Sequence, residues 1–209
     1  MLKKILLLSS ALAFMSAATL AHADTIFVLN QDGCSGTCGV APFGTVDLSQ
    51  TNSTTVTVTV TLNQANGTER FAGTGAGDAL EFNLSSNPAI TIGNITTGFG
   101  VGPSPDTAST FGSFDYSVTC TACQGGKSSN PAGPLSFTVT SASGVTIADF
   151  TANTGGYYFA SDIFGNNGKT GNVAANSFSN TPSVPEPSSL LLFGTGVLSA
   201  AGLLRRRFF

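Results

Sequence analysis

Charge is scarce in this chain, and so are the residues that usually carry catalysis. Charged side chains make up 9% of the 209 residues, tryptophan is absent, and the single histidine is His22. His22 falls in a segment expected to be removed on export. The mature chain then has no imidazole to serve as general base, metal ligand or activator of a nucleophile. No Gly-x-Ser-x-Gly elbow is present either, so serine chemistry has neither its turn nor its base. No stretch between the two ends keeps a helical period, which removes helical bundles and α/β architectures from consideration.

The long uncharged apolar runs lie at both ends. Lys3 and Lys4 precede an uncharged apolar stretch over residues 5–20, and Ala21-His22-Ala23 places small residues where a signal peptidase reads. Residues 1–23 therefore read as a signal peptide cleaved before Asp24. At the other end Val184-Pro185-Glu186-Pro187 precedes an apolar run over residues 188–204, and Arg205, Arg206 and Arg207 follow. As a helix the run measures about 25 Å, a little short of a hydrocarbon core of roughly 30 Å, and arginines that snorkel cover the difference. Residues 188–204 are thus expected to span a membrane, with the basic tail 205–209 in the cytoplasm and the bulk of the chain outside.

This order of Pro-Glu-Pro, apolar span and basic end resembles the PEP-CTERM sorting tail of bacterial exported proteins. The resemblance implies recognition of Val184, Pro185, Glu186 and Pro187 by a membrane-bound exosortase, with Arg205, Arg206 and Arg207 as the stop. It also implies cleavage near Ser188 and release or attachment at the surface of a Gram-negative bacterium that makes exopolysaccharide. The segments 31–39 and 155–162 resemble stretches in other proteins with this tail, a likeness that implies no activity.

Residues 24–178 have the size of one domain. Ten acidic and three basic side chains between Asp24 and Val184 leave −7 if all are ionised, which makes nucleic acid an improbable partner. Thr54 to Leu62 alternates strictly, with Val56, Val58, Val60 and Leu62 on one side and threonines on the other, so the valines are expected inside. Further strands are expected at 26–29, 43–48, 80–84, 89–97, 111–119, 135–140, 145–150 and 157–163. Turn-forming segments lie between them, among them 98–106, 125–134 and 165–171. About nine short strands separated by turns predict an all-β antiparallel β-sandwich, jelly-roll-like. A closed barrel ranks second and a β-helix third, because no repeat length is visible. Residues 179–187 form the expected linker.

Four cysteines fall in two close pairs, Cys34/Cys38 and Cys120/Cys123. An even count in an exported chain points to disulfides, and two local bridges are the preferred pairing among three connectivities. A four-thiolate zinc site and a redox motif are the alternatives. Asp162, Asn166, Asn167 and Asn172 offer oxygen donors for calcium, although an ordinary Asn/Gly turn explains them as well. Asp78 with Glu81, or Asp115 with Asp149, are the carboxylate pairs a glycoside hydrolase would need. Tyr157-Tyr158-Phe159 is the densest aromatic cluster and the candidate platform for a sugar. These features together predict an exported, surface-sorted, non-catalytic β-sandwich with a structural or adhesive role in the envelope or exopolysaccharide matrix. No catalytic residue, metal or cofactor is expected, and the expected partners are exosortase and the inner membrane, with extracellular polysaccharide as a further candidate. A carbohydrate-binding module and a carboxylate-dependent glycoside hydrolase are the competing readings.

Overall fold

The valines of the alternating segment form the middle of the fold. The computed structural model describes residues 24–64, 69–74 and 77–180. It assigns Ala23–Thr181 to one compact unit. The described chain is nearly all β, and the sheets pair antiparallel throughout. The signal peptide, the sorting tail with Val184 to Pro187 and Arg205 to Arg207, and the expected span lie outside the described residues. Among the described residues no helix is long and apolar enough to cross a membrane.

The first sheet holds β1 (Thr25–Leu29), β3 (Gly44–Asn52), β4 (Thr55–Leu62), β7 (Thr91–Gly93), β12 (Leu135–Thr140) and β16 (Phe178–Asn180), in the order β16-β1-β3-β4-β12-β7. The second holds β2 (Gln31–Asp32), β6 (Leu80–Leu84), β8 (Gly100–Val101), β11 (Tyr116–Thr119), β14 (Phe159–Phe164) and β15 (Thr170–Ala175), in the order β2-β15-β14-β6-β11-β8. Two short strands, β5 (Arg70–Phe71) and β13 (Phe150–Thr151), add to it at β14 and β6. A separate hairpin joins β9 (Asp106–Ala108) to β10 (Gly112–Phe114).

Val56, Val58 and Val60 are fully buried, as are Leu48, Val139, Leu80, Phe82, Phe159, Ile163 and Val173. One apolar cluster thus takes side chains from both sheets, which is what makes the architecture sandwich-like. A second, smaller cluster lies on the opposite face of the second sheet, where Ala108, Phe111 and Phe114 of the hairpin region pack on Ala160 and Ala174. The second sheet is therefore covered on both faces and the first on one. That difference decides where polar side chains end up.

Several segments depart from the sequence expectation. Of the strand expected at 89–97 only Thr91–Gly93 forms, and the expected turn 98–106 contains β8. The strand expected at 145–150 is instead a 3-10 turn, Ile147–Asp149, followed by β13. Asp149 causes the turn: its Oδ2 accepts from Thr146 N at 2.7 Å and from Thr146 Oγ1 at 2.8 Å, closing a capping box. The strand expected at 111–119 is broken at Asp115 into β10 and β11. β15 begins at the end of the segment expected to be turn.

Candidate functional site

The open face of the first sheet is a field of hydroxyl groups. Alternation puts Thr45, Asp47 and Ser49 of β3 outward, and Thr55, Thr57, Thr59 and Thr61 of β4 likewise. β12 contributes Ser136, Thr138 and Thr140. Register sets them in rows across the strands, Asp47–Thr59–Ser136 and Ser49–Thr57–Thr138. The hydroxyls engage one another: Thr51 and Thr57 at 2.9 Å, Thr55 and Thr140 at 3.3 Å, Thr59 and Ser136 at 3.3 Å. Asp47 is the one ionisable side chain on this face of β3, β4 and β12. Burial, and the charge of Asp24, raise its carboxyl above the ordinary aspartate range. Apart from Asp47, whose Oδ1 is buried without a partner, the face is an uncharged array of hydroxyl donors and acceptors, with neighbouring strands about 4.8 Å apart.

The covered face of the second sheet collects the buried acids. Glu81 of β6 lies opposite Ser117 of β11, and Asp162 of β14 opposite Asn172 of β15. Asp78 enters from the preceding loop. Its backbone N–H donates to Glu81 Oε1 at 2.9 Å, and Ser117 Oγ stands 2.6 Å from Asp78 Oδ2. Gly102 borders this group so closely that a Cβ there would run into Asp78 and Ser117. Glu81 is fully buried, with Oε2 unpaired, and desolvation holds its carboxyl well above the usual range. Asp162 accepts from Thr74 N at 2.7 Å and Thr74 Oγ1 at 2.9 Å; even so, burial pushes it up to about 6. Desolvation likewise raises Asp78, against the lowering pull of Ser117. Glu69, also buried, is raised to about 7. Four of the ten acids of the body are thus interior, and the surface is less acidic than the sequence count implies.

The remaining candidates are dispersed or sealed. Asp78 and Glu81 do meet, but inside the protein. Asp149 is consumed by its cap, which holds its carboxyl below the ordinary range, and Asp115 N–H donates to Asn83 Oδ1 at 2.6 Å. In the candidate calcium loop Asp162 faces Thr74, Asn167 Nδ2 donates to Thr37 O at 2.7 Å and Asn172 Nδ2 to Ser109 O at 3.3 Å, so the oxygens turn to separate places. Among the described residues the one convergence of three potential metal ligands is Asp32, Cys34 and Cys38. Both sulfurs there belong to the disulfide Cys34–Cys38, and the second bridge is Cys120–Cys123, so neither pair offers thiolates. The aromatic triplet is engaged within the fold. Phe159 is core, Tyr158 packs on Phe27 with ring centres 5.1 Å apart, and Tyr157 on Phe111 at 4.8 Å. A cleft of about 440 Å³ opens between the two edge strands β7 and β8, walled by Pro88, Ile90, Ile92, Val101 and Tyr116 with Ser117 at its side.

The hydroxyl face was legible in the alternation of residues 54–62, but its extension over three strands was not, because pairing is a property of the fold. Nothing in the sequence pattern marked Asp162, Ser117 and Glu81 as one group.

Fold and bridges define an all-β, antiparallel, sandwich-like body stapled by two local disulfides. Residues 183–207 match the family described as the PEP-CTERM protein-sorting motif, so the chain carries that sorting motif. The motif is associated with exosortase processing and marks an exported, membrane-anchored precursor sorted to the cell surface. No curated protein and no solved structure matches the chain.

Proposed function

We propose that this is a non-catalytic, surface-sorted β-sandwich that serves structure or adhesion in the envelope or exopolysaccharide matrix of a Gram-negative bacterium. The observation that carries the reading is the hydroxyl face. An exposed sheet face with one ionisable side chain on three strands suits a neutral, hydroxyl-bearing polymer better than an anionic lipid or a nucleic acid, both of which need cations. It lacks the aromatic anchors that mark protein–protein hot spots. Burial of Asp78 and Glu81 and the capping duty of Asp149 support the non-catalytic part, since a hydrolase needs its carboxyls beside a solvated substrate.

The test is retention of the full-length chain, in mild detergent, on the host's own exopolysaccharide and on a panel of neutral and acidic glycans. Retention without release of reducing ends is expected, strongest for neutral polymers. Thr57→Asp with Thr138→Asp, which places two charges side by side on the face, should weaken it at least tenfold with the fold intact. Release of new reducing ends would instead establish a hydrolase, and failure to retain any polymer would end the adhesive reading.

The same reading assigns the tail to exosortase cleavage after recognition at Val184 to Pro187. Intact mass of the protein from its host should lack the segment from about Ser188 onward. Replacing Pro185 and Pro187 with alanine should trap the full-length chain in the inner membrane. Persistence of the peptide ending Phe208-Phe209 in the wild type would reduce the tail to an anchor.

A further inference from the structure

The first sheet ends in two strands whose outer sides nothing among the described residues pairs. β16 is one edge and β7 the other. An unpaired edge presents a row of backbone N–H and C=O groups to any strand that reaches it. Natural edges are commonly guarded by charge or proline. Neither strand here holds either, since β16 reads Phe-Ser-Asn and β7 reads Thr-Ile-Gly.

The two sides of the sandwich differ in shape. On the β16 side the chain crosses from β1 to β2, and Asn30 N donates to Ala174 O at 3.0 Å, so the layers are joined there. Phe178 stands out from that side. It lies opposite Phe27 in the pairing of β16 with β1, with ring centres 5.5 Å from Phe27 and 6.1 Å from Tyr158. Phe27 is core, so Phe178 shares the inner face of the sheet, yet 48% of it remains exposed. On the β7 side the layers part, and the cleft of about 440 Å³ opens between β7 and β8. Ile92 lies opposite the buried Val139 and lines the cleft from the inner face of the first sheet. Val101 of β8, 60% exposed, lines it from the second. Of the three large apolar side chains most exposed among the described residues, two thus sit at opposite edges; the third, Val40, follows β2.

An aromatic knob on one edge and an apolar cleft on the other fit each other between copies, not within one. Five strand spacings, about 24 Å, separate β16 from β7. The chain's own linker, residues 181–187, would have to run fully stretched to reach the cleft. A two-fold contact would set cleft against cleft or knob against knob, whereas a head-to-tail contact sets knob in cleft. Strand direction permits it. Six strands paired antiparallel throughout leave β16 and β7 running in opposite directions. A second copy displaced along the sheet therefore offers its β16 antiparallel to β7.

We propose that the body assembles with further copies of itself head to tail: β16 of one copy adds to β7 of the next, and Phe178 enters the cleft beside Ile92 and Val101. A heterologous contact of this kind does not close on itself, so it propagates into a filament whose first sheet runs on from copy to copy. The hydroxyl faces then line up along one side of the filament. This deepens the structural role proposed above and does not depend on polysaccharide binding.

Cross-linking of the full-length chain in mild detergent tests the contact. The native cysteines are bridged, so a short thiol-specific bifunctional reagent reads only introduced ones. Thr91→Cys on β7 and Ser177→Cys beside β16 are both at exposed positions. A mixture of the two single variants should give a cross-linked pair, each alone should give little, and the double variant should give a ladder of higher species. Adding Phe178→Asp or Val101→Lys should weaken the ladder by about tenfold or more at equal concentration, with denaturant midpoints unchanged. Pairs formed by either single variant alone would establish a two-fold contact and overturn the filament. So would the absence of any ladder, or a ladder that survives both Phe178→Asp and Val101→Lys, which would place the contact elsewhere in the chain. Thr57→Asp with Thr138→Asp, on the outer face, should keep the ladder, so loss of glycan retention and loss of assembly are separate results.

Discussion

Val58 and Thr57 are neighbours in the chain and opposites in the fold. Val58 has no exposed surface, whereas Thr57 looks out from the hydroxyl face. Val58→Asp therefore buries an unpaired charge and should cost about 4 kcal/mol or more, enough to prevent folding, while Thr57→Asp should cost about 1 kcal/mol or less. Soluble yield and denaturant midpoints of the two variants check the assignment; equal tolerance would refute it. Asp149 supports a second residue-scale prediction. Its carboxyl is held below the ordinary range by the Thr146 backbone N–H, so it favours the fold in its ionised form. Asp149→Asn should destabilise by about 1 kcal/mol near neutrality, as loss of a cap does. Because the folded carboxyl is the depressed one, that difference should persist down to the ordinary aspartate range. It should then fade as the pH drops through the still lower folded value. Chemical denaturation of the wild type and of the Asp149→Asn variant across an acid titration would read this.

Elements were legible where chemistry and period agreed. β4, β6 and β12 combine β-branched or aromatic residues with a period of two, and each lies where the alternation predicts. β15, with the sequence Thr-Gly-Asn-Val-Ala-Ala, has neither signal. It is covered on both faces, so Ala174 and Ala175 fit where bulk would clash, and its strand character comes from β14 and not from its own residues. The short strands β2, β5, β8 and β9 are likewise made by their partners. Oxidation of the cysteines was legible from compartment and even count, while the local pairing was a preference among three connectivities. Cys34–Cys38 and Cys120–Cys123 close loops of sequence separation 4 and 3, each limiting the unfolded chain by about 2 kcal/mol. Reduction should therefore lower the thermal midpoint in two modest, separable steps, read in Cys34→Ser/Cys38→Ser and Cys120→Ser/Cys123→Ser with and without reductant. Loss of folding from either pair alone would mean that the bridges do more than restrict these short loops.

At the scale of the whole molecule, burial of four acids turns a sequence poor in charge into a protein whose stability depends on acid. Asp162, Glu69, Asp78 and Glu81 all have carboxyls raised by burial, two of them to about 6 and about 7. A carboxyl raised in the folded state holds its proton more tightly there than in the unfolded chain. Its contribution is complete below the unfolded value, near 4, and is lost as the pH rises towards the folded value. The fold should therefore be most stable in mild acid and weaken from about pH 4 through pH 7, with Glu81 extending the decline further. Asp162 alone, moved from 3.8 to about 6, accounts for something on the order of 3 kcal/mol of that change. Thermal midpoints across this range at constant ionic strength should fall monotonically. Glu81→Gln, which keeps an acceptor for the Asp78 N–H and removes the titration, should flatten the alkaline end of the curve. A flat wild-type profile would mean that these acids are ionised in the fold and solvated by some route other than the side chains around them. A profile rising with pH would mean that cations reach them.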